Sequence, residues 1–326
     1  MNNKVSVIIP TYNRGEYLRK ISIPSVLRQT WRNVEIIIVD DGSTDNTKSV
    51  VEFFCENDSR VKYFYKENGG QGSARNFGLK KSSGDFVIFL DSDDAFLGDA
   101  LKIFLEVQNS KNYDIVFSNV LNIGNNNGKF FIKGVEKGVF IPSSTFYIKK
   151  LFERLPLFSE DRDLIGIEDT DLWFSWSEAL KRKHEELKVK LIKYPLVFYF
   201  EHDAQITKAN KEHIFDIFKA FISKHEPFVK YLSPKDASWM FFRFAHLSML
   251  LKKKDLARSF ARKGFMQKGG IKKLFFLIAL SYFSPSFYKI FVSPLFNIRI
   301  LIKKKFYGIV LRLLSPFNYK KELNYY

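Results

Sequence analysis

The stretch Asp85-Phe-Val-Ile-Phe-Leu-Asp-Ser-Asp-Asp94 decides how this chain is read. Phe86 to Leu90 is an unbroken apolar run of aromatic and branched residues, the pattern of a strand covered on both faces. It ends in Asp91, Ser92 and Asp93, with Asp94 next. Carboxylates crowded at a strand end repel one another and call for a cation. A hard divalent ion with oxygen ligands fits, and such ions bridge to substrate phosphates. Open α/β sheets bind ligands beyond the carboxyl ends of their strands. Taken alone, the tripeptide reads equally well as a solvated acidic turn before a helix, since Asp is a favoured N-cap.

The flanking chain repeats the pattern. Val5 to Ile9 is an apolar strand ended by Pro10-Thr11-Tyr12-Asn13, and a helical stretch follows to about Gln29, interrupted at Pro24. Val34 to Val39 is a second strand running into Asp40-Asp41-Gly42-Ser43-Thr44-Asp45, whose polar residues open a helix. Val61 to Tyr65 is a third strand, Lys66 to Gly72 a loop, and Ser73 to Lys81 a short helix. A further helix is expected from about Gly98 to Gln108, then a strand over Asp114 to Val120. Asn125-Asn126-Asn127-Gly128 suits a hairpin turn into Lys129 to Val135. Residues 142–155 read as a helix, Ile167 opens another, and Val189 to Phe200 closes the sheet. Helical patterns then cover about 205–223, 234–251 and 255–267.

Strands alternating with helices imply an α/β, doubly wound, mostly parallel sheet. Right-handed crossovers put the strand exits on one edge. Pro10–Asn13, Asp40–Asp45, Gly69–Gly72 and Asp91–Asp93 then converge.

The chain has 326 residues, 46% of them hydrophobic, enough for a sizeable core. One cysteine, Cys55, excludes an internal disulfide framework and points to a reducing compartment. Asn2, Asn3 and Lys4 lead straight into a strand without a signal-peptide pattern, so a cytoplasmic location is expected. Charge is uneven. Residues 1–203 hold 28 Lys and Arg against 29 Asp and Glu, while residues 204–326 hold 24 against 6. This divides the chain into a neutral domain, 1–203, and a basic, aromatic-rich helical region, 204–326. Lys252-Lys253-Lys254, Lys272-Lys273 and Lys303-Lys304-Lys305 alternate with Phe- and Leu-rich stretches. That composition suits amphipathic segments on an anionic membrane surface. The bland alternative is a helical cap with its lysines in water. Leu274 to Tyr288 is uncharged, but Pro285 interrupts it and it is too short to span a bilayer.

Four pieces carry a resemblance: VSVIIPTYNRGEYL from Val5, VEIIIVDDGSTDNT from Val34, NGGQGSARNFGLKKSSGDFVIFLDSDD from Asn68 and GIEDTDLW from Gly166. In this order they resemble family-2 glycosyltransferases over roughly residues 4–203. The resemblance implies a GT-A fold, a nucleotide-sugar donor (a UDP-linked one is expected), Mn²⁺ or Mg²⁺, and inversion. It implies that Asp93 ligates the ion, with Asp91 on the ribose or on the metal through water. Ser92 lies between them. Asp41 can accept from a uracil N–H, and Pro10 and Tyr12 can wall the base, with Thr11 and Asn13 beside them. The glycines around Gly70 permit close backbone approach. Arg75 reaches a phosphate or holds an Asp in place.

Inversion needs a base opposite the leaving group. By resemblance that base lies in Glu168-Asp169. Asp169 is the choice, because adjacent carboxylates raise each other's pKa. Glu168 then orients it or binds acceptor, and Asp171 is the backup. An acidic helix N-terminus favoured by the macrodipole is the plain alternative. His202 is a further metal or phosphate candidate by resemblance, although Glu201 precedes it and a structural histidine explains it as well. Asp94 is read as a helix cap. The expected acceptor is a lipid-linked or surface-polysaccharide glycan. A competing reading makes the basic region a single-strand nucleic-acid grip. Its aromatics come in apolar runs that suit burial or lipid better, so no nucleic-acid partner is expected.

Overall fold

The computed structural model describes residues 3–123, 130–133, 141–200, 211–227, 241, 245, 248, 249, 251 and 253–266. The chain forms two compact units. The first runs through nine strands: β1 (Val5–Thr11), β2 (Val34–Asp40), β3 (Val61–Tyr65), β4 (Phe86–Phe89), β5 (Ala95–Phe96), β6 (Ile115–Ile123), β7 (Phe130–Lys133), β8 (Thr145–Ile148) and β9 (Val189–Phe200). Among the described residues they join one sheet in the order β3-β2-β1-β4-β8-β6-β9-β5, with β7 on β6. β1 to β4 pair in parallel, as the alternation predicts. β8 is antiparallel to both β4 and β6, and β9 runs parallel to β6. The strands other than β5, β7 and β8 therefore share one direction, and the sheet is mostly parallel.

The first unit's helices are α1 (Gly15–Tyr17), α2 (Ile23–Leu27), α3 (Thr47–Asn57), α4 (Gly70–Lys81), α5 (Ala100–Lys111), α6 (Leu151–Arg154) and α7 (Glu168–Lys183). Between α1 and α2, Leu18–Ser22 is π-helical, and the Ile23 amide donates to the Leu18 carbonyl. Pro24 sits in the first turn of α2 and has no N–H to give the preceding turn, which explains the irregularity there.

Residues 142–155 are not one helix, contrary to expectation. Pro142–Ser144 is a 3-10 turn, Thr145–Ile148 is β8, and only Leu151–Arg154 is helical. Packing decides this. The Phe146 ring stacks on Phe86 at 5.3 Å and on Phe104 of α5 at 5.4 Å. Burying each such ring contributes about 1.5–3 kcal/mol, more than helix propensity supplies over four residues. The expected hairpin turn Asn125–Gly128 lies outside the described residues, although Ile123 and Phe130 face each other in the β6–β7 register.

At the edge opposite the strand exits, Glu35 is 2% exposed. It accepts from Lys4 at 3.1 Å, Lys62 at 2.8 Å, the Ser6 hydroxyl at 2.7 Å and the Ser83 amide at 2.6 Å. One carboxylate thus pins the starts of β1, β2 and β3 to the approach to β4. Burial raises its pKa, but the bonds from Lys62, Ser6, Ser83 and Lys4 outweigh that and bring it down to about 2.

The second unit holds α8 (Lys211–His225) and α9 (Lys254–Phe265). Ala257, Phe260, Ala261 and Gly264 are buried on one stripe of α9. Lys263 pairs with Glu226 at 2.5 Å. Most of the expected 234–251 helix, and everything from 267 onward, lies outside the described residues. Among those described, no helix is long and apolar enough to cross a membrane.

A pH test follows from Glu35. Its folded pKa lies below the ordinary 4.5, so its stabilisation is present above about pH 4.5 and is lost as pH falls toward 2. Glu35→Gln should cost about 2–3 kcal/mol at pH 7, with the gap to wild type closing below pH 4.5 in urea unfolding. Equal stability at pH 7 would contradict this account.

Candidate active site

The exits of β1, β2 and β4 lie on one edge, as their parallel register requires. α4 packs on β1 and β2 and also contacts α7.

Arg75 of α4 is 1% exposed. Its guanidinium donates to Asp91 at 2.8 Å, Glu168 at 2.7 Å and Gln71 at 3.2 Å, and it lies over the Phe158 ring at 5.4 Å. The expectation that Arg75 holds an Asp in place is met, and it holds Glu168 as well. Burial works against its charge, but Asp91 and Glu168 overcome that and keep it protonated. Glu168 also accepts from the Gly166 amide at 2.8 Å. The strand exit carrying Asp91 and the helix carrying Asp169 are thereby joined through one cation.

Asp169 sits in the first turn of α7. Burial and the neighbouring Glu168 charge push its carboxyl up to about 7. Its Oδ1 accepts from the Thr170 amide at 2.6 Å. Asp91 is also raised, first by burial, with Arg75 opposing and Asp93 reinforcing the shift. Asp171 is fully buried.

Asp41 is 4% exposed, and its own chain holds it. It accepts from Lys66 at 2.6 Å and from the amides of Gly69 at 3.0 Å and Gly70 at 2.7 Å. It therefore caps α4 from another segment, and α4 begins at Gly70 rather than Ser73. Gly70 has φ +86°, a conformation that favours glycine. A Cβ on Gly72 would stand 2.2 Å from the Ser159 carbonyl oxygen. These glycines thus serve a fold contact: Gly72 lets the Pro156–Leu164 segment close on α4. Asn76 completes that contact through both Phe158 backbone groups and Glu160.

Around β1, Tyr12 is 49% exposed and available for stacking, whereas Pro10 and Thr11 are buried. Among the described residues the Thr11 hydroxyl has no hydrogen-bond partner. Asn13 has φ +52°, and its side chain accepts from the Thr44 amide at 2.8 Å, so it shapes the turn after β2. Ser92 is buried. Asp94 is not a helix cap: its Oδ2 accepts from Ser143 at 2.7 Å, and α5 starts only at Ala100. Nothing in the local pattern marks Ser143, Lys66 or Asn76 as site residues, because each acts on a segment distant in the chain. His202 lies outside the described residues.

Asp91 and Asp93 offer only oxygen donors, which suits a hard divalent ion. Among the described residues no three His, Cys, Asp or Glu side chains gather into a complete cage. Magnesium-type sites built on one or two carboxylates plus substrate phosphates need no such cage.

The sequence profile of Glycosyl transferase family 2 matches residues 6–166, which contain the Asp41, Arg75 and Asp91–Asp93 elements. Residues 6–166 form a glycosyltransferase family 2 domain. Among its relatives, the Campylobacter jejuni GalNAc(5)-diNAcBac-PP-undecaprenol beta-1,3-glucosyltransferase is 42% identical over 151 residues, 45% of this chain and 48% of that protein. An uncharacterized glycosyltransferase of Rickettsia bellii is 37% identical over 185 residues, 53% of this chain and 26% of that protein. The chain spans less than half the length of either relative. In fold it is similar to S. aureus TarS, with a TM-score of 0.58, 18% identity, and coverage of 88% of this chain and 52% of that one.

Removing the cation exposes its role. Arg75→Met leaves the buried Glu168 and the half-buried Asp91 without a counter-charge and should cost about 2–4 kcal/mol in urea unfolding. A loss under about 1 kcal/mol would show that Arg75 does not tie the two segments together.

Proposed function

We propose that this chain transfers a sugar from a UDP-linked donor to a lipid-linked or surface-polysaccharide acceptor, with inversion. The observation that carries the reading is Asp169: a half-buried carboxylate with its pKa raised to about 7, one residue from the Arg75–Glu168 bridge. The relatives support the substrate class. S. aureus TarS has been solved with UDP and with UDP-GlcNAc, and a Pyrobaculum calidifontis mannosyltransferase with GDP-Man and Mn²⁺. The C. jejuni relative is named for a PP-undecaprenol acceptor.

Tyr12 stacks on the base, and Asp41 accepts its imide N–H. Asp91 and Asp93 would hold Mg²⁺ or Mn²⁺ against the donor's diphosphate. When bound, that ion neutralises charge on the departing nucleoside diphosphate. Arg75 keeps Asp91 oriented from behind. Asp169 takes the proton of the acceptor hydroxyl as its oxygen bonds to the anomeric carbon. The bond from that carbon to the phosphate oxygen breaks on the opposite face, and UDP departs. Glu168, fixed by Arg75 and Gly166, keeps Asp169 basic.

The basic region contacts anionic headgroups from the inner face of the membrane and brings the chain to a lipid-borne acceptor. The nucleic-acid reading calls on the same basic residues, but the acidic strand exits would repel a phosphate backbone.

The base must be ionised to act. kcat/KM should therefore rise with pH toward 7 and level off above it, when UDP release is followed with saturating acceptor. Asp169→Asn should lower kcat by about 10²–10⁴-fold. Undiminished turnover in that variant would refute the assignment. Flotation with anionic vesicles should carry the protein upward in low salt, and its absence would remove the membrane claim.

A further inference from the structure

Asp94 is 1% exposed, and uncharged donors hold both of its carboxylate oxygens. Oδ2 accepts from the Ser143 hydroxyl at 2.7 Å, and Oδ1 from the Phe200 amide at 3.4 Å. The same Ser143 oxygen accepts from the Asp91 amide at 3.0 Å. The Asp94 amide in turn donates to the Asp91 carbonyl at 2.9 Å and closes the turn that carries Ser92 and Asp93. Three distant segments meet here: the exit of β4, the Pro142–Ser144 turn, and the last residue of β9. Asp91 is gripped twice, its backbone by Ser143 and its carboxylate by Arg75 on α4.

We propose that Asp94 and Ser143 form a buried brace that sets the position of Asp91 and Asp93 toward the ion and diphosphate. The proposal rests on the reading of Asp91 and Asp93 given above. Asp94 is a positioning residue: it touches neither ligand and acts through Ser143 and the turn. The chemistry explains why a carboxylate is needed. Two donors from separate segments converge on it, and a carboxylate offers two acceptor oxygens where an amide offers one. Ser143 relays the restraint because a hydroxyl donates and accepts at once. Removing its oxygen orphans the Asp91 amide and Asp94 Oδ2 together and loosens the turn at both ends.

Ser143→Ala tests this with two readouts that do not depend on turnover. Hydrogen–deuterium exchange of the peptide covering residues 90–94 should quicken without ligand present. Calorimetry should show UDP with Mn²⁺ binding about tenfold more weakly, the equivalent of one lost buried hydrogen bond, with uridine binding unchanged. Asp94→Asn, which keeps one acceptor, should give a smaller loss. Unchanged exchange, unchanged affinity for Mn²⁺ and UDP, or an equal loss for uridine would overturn the brace. A wild-type protein that fails to bind UDP with Mn²⁺ would instead sink the functional reading beneath it, and the brace's role with it.

Discussion

A guanidinium almost without water contact keeps its charge at a desolvation cost that carboxylates must offset, and that requirement shapes the edge of this sheet. Arg75 meets it with Asp91 from β4 and Glu168 from α7. An arginine fork holds two carboxylates in fixed directions as a lysine does not. Reaching both demands that α4 lie close under the Pro156–Leu164 segment, where Phe158 stacks on the guanidinium. That closeness is why Gly72 tolerates no side chain and why Asn76 bonds three groups across the gap. The same arrangement leaves Asp169 in an apolar, negatively charged setting, which raises its pKa.

The two edges of the sheet divide the work. At the strand starts Glu35 is surrounded by Lys4, Lys62 and the Ser6 and Ser83 donors, so its charge is more than balanced and adds stability. At the strand exits the balance reverses. Asp91, Glu168 and Asp169 gather around Arg75, Asp93 and Asp94 act on Asp91, and burial pushes several of these groups toward neutrality. Among the described residues that edge gathers carboxylates whose titration is perturbed, and perturbed groups of that kind cluster at functional sites. Asp41 is the exception, since Lys66 satisfies it already. It enters the functional edge as a cap on α4 as much as a ligand for a base.

The parallel half of the fold was legible because covered strands leave a plain mark. Val61–Tyr65 and Val189–Phe200 form over the spans their apolar runs suggest, and β1 and β2 run only one or two residues beyond theirs. Asp91 was legible as a charge in need of a cation, read as a divalent ion, and Arg75 as a residue that reaches a phosphate or holds an Asp. What the sequence hid is non-local. Thr145–Ile148 carries a β-branched and aromatic pattern too short to read against its helical surroundings, and only the facing rings of Phe86 and Phe104 make it a strand. Asp94 looked like a cap because capping is a neighbour's chemistry, while its partners lie 49 and 106 residues away. The glycines before α4 suggested ligand approach, and their spacing gave no hint that the intruding backbone belongs to Ser159.

The most direct test is a crystal structure of the protein soaked with manganese and uridine diphosphate. The account predicts the ion on Asp93 beside Asp91, the diphosphate across the strand exits, the base between Tyr12 and Asp41, and Arg75 still bridging Asp91 to Glu168. Nucleotide density away from those exits, or an Arg75 that leaves its carboxylates to bind phosphate, would contradict it.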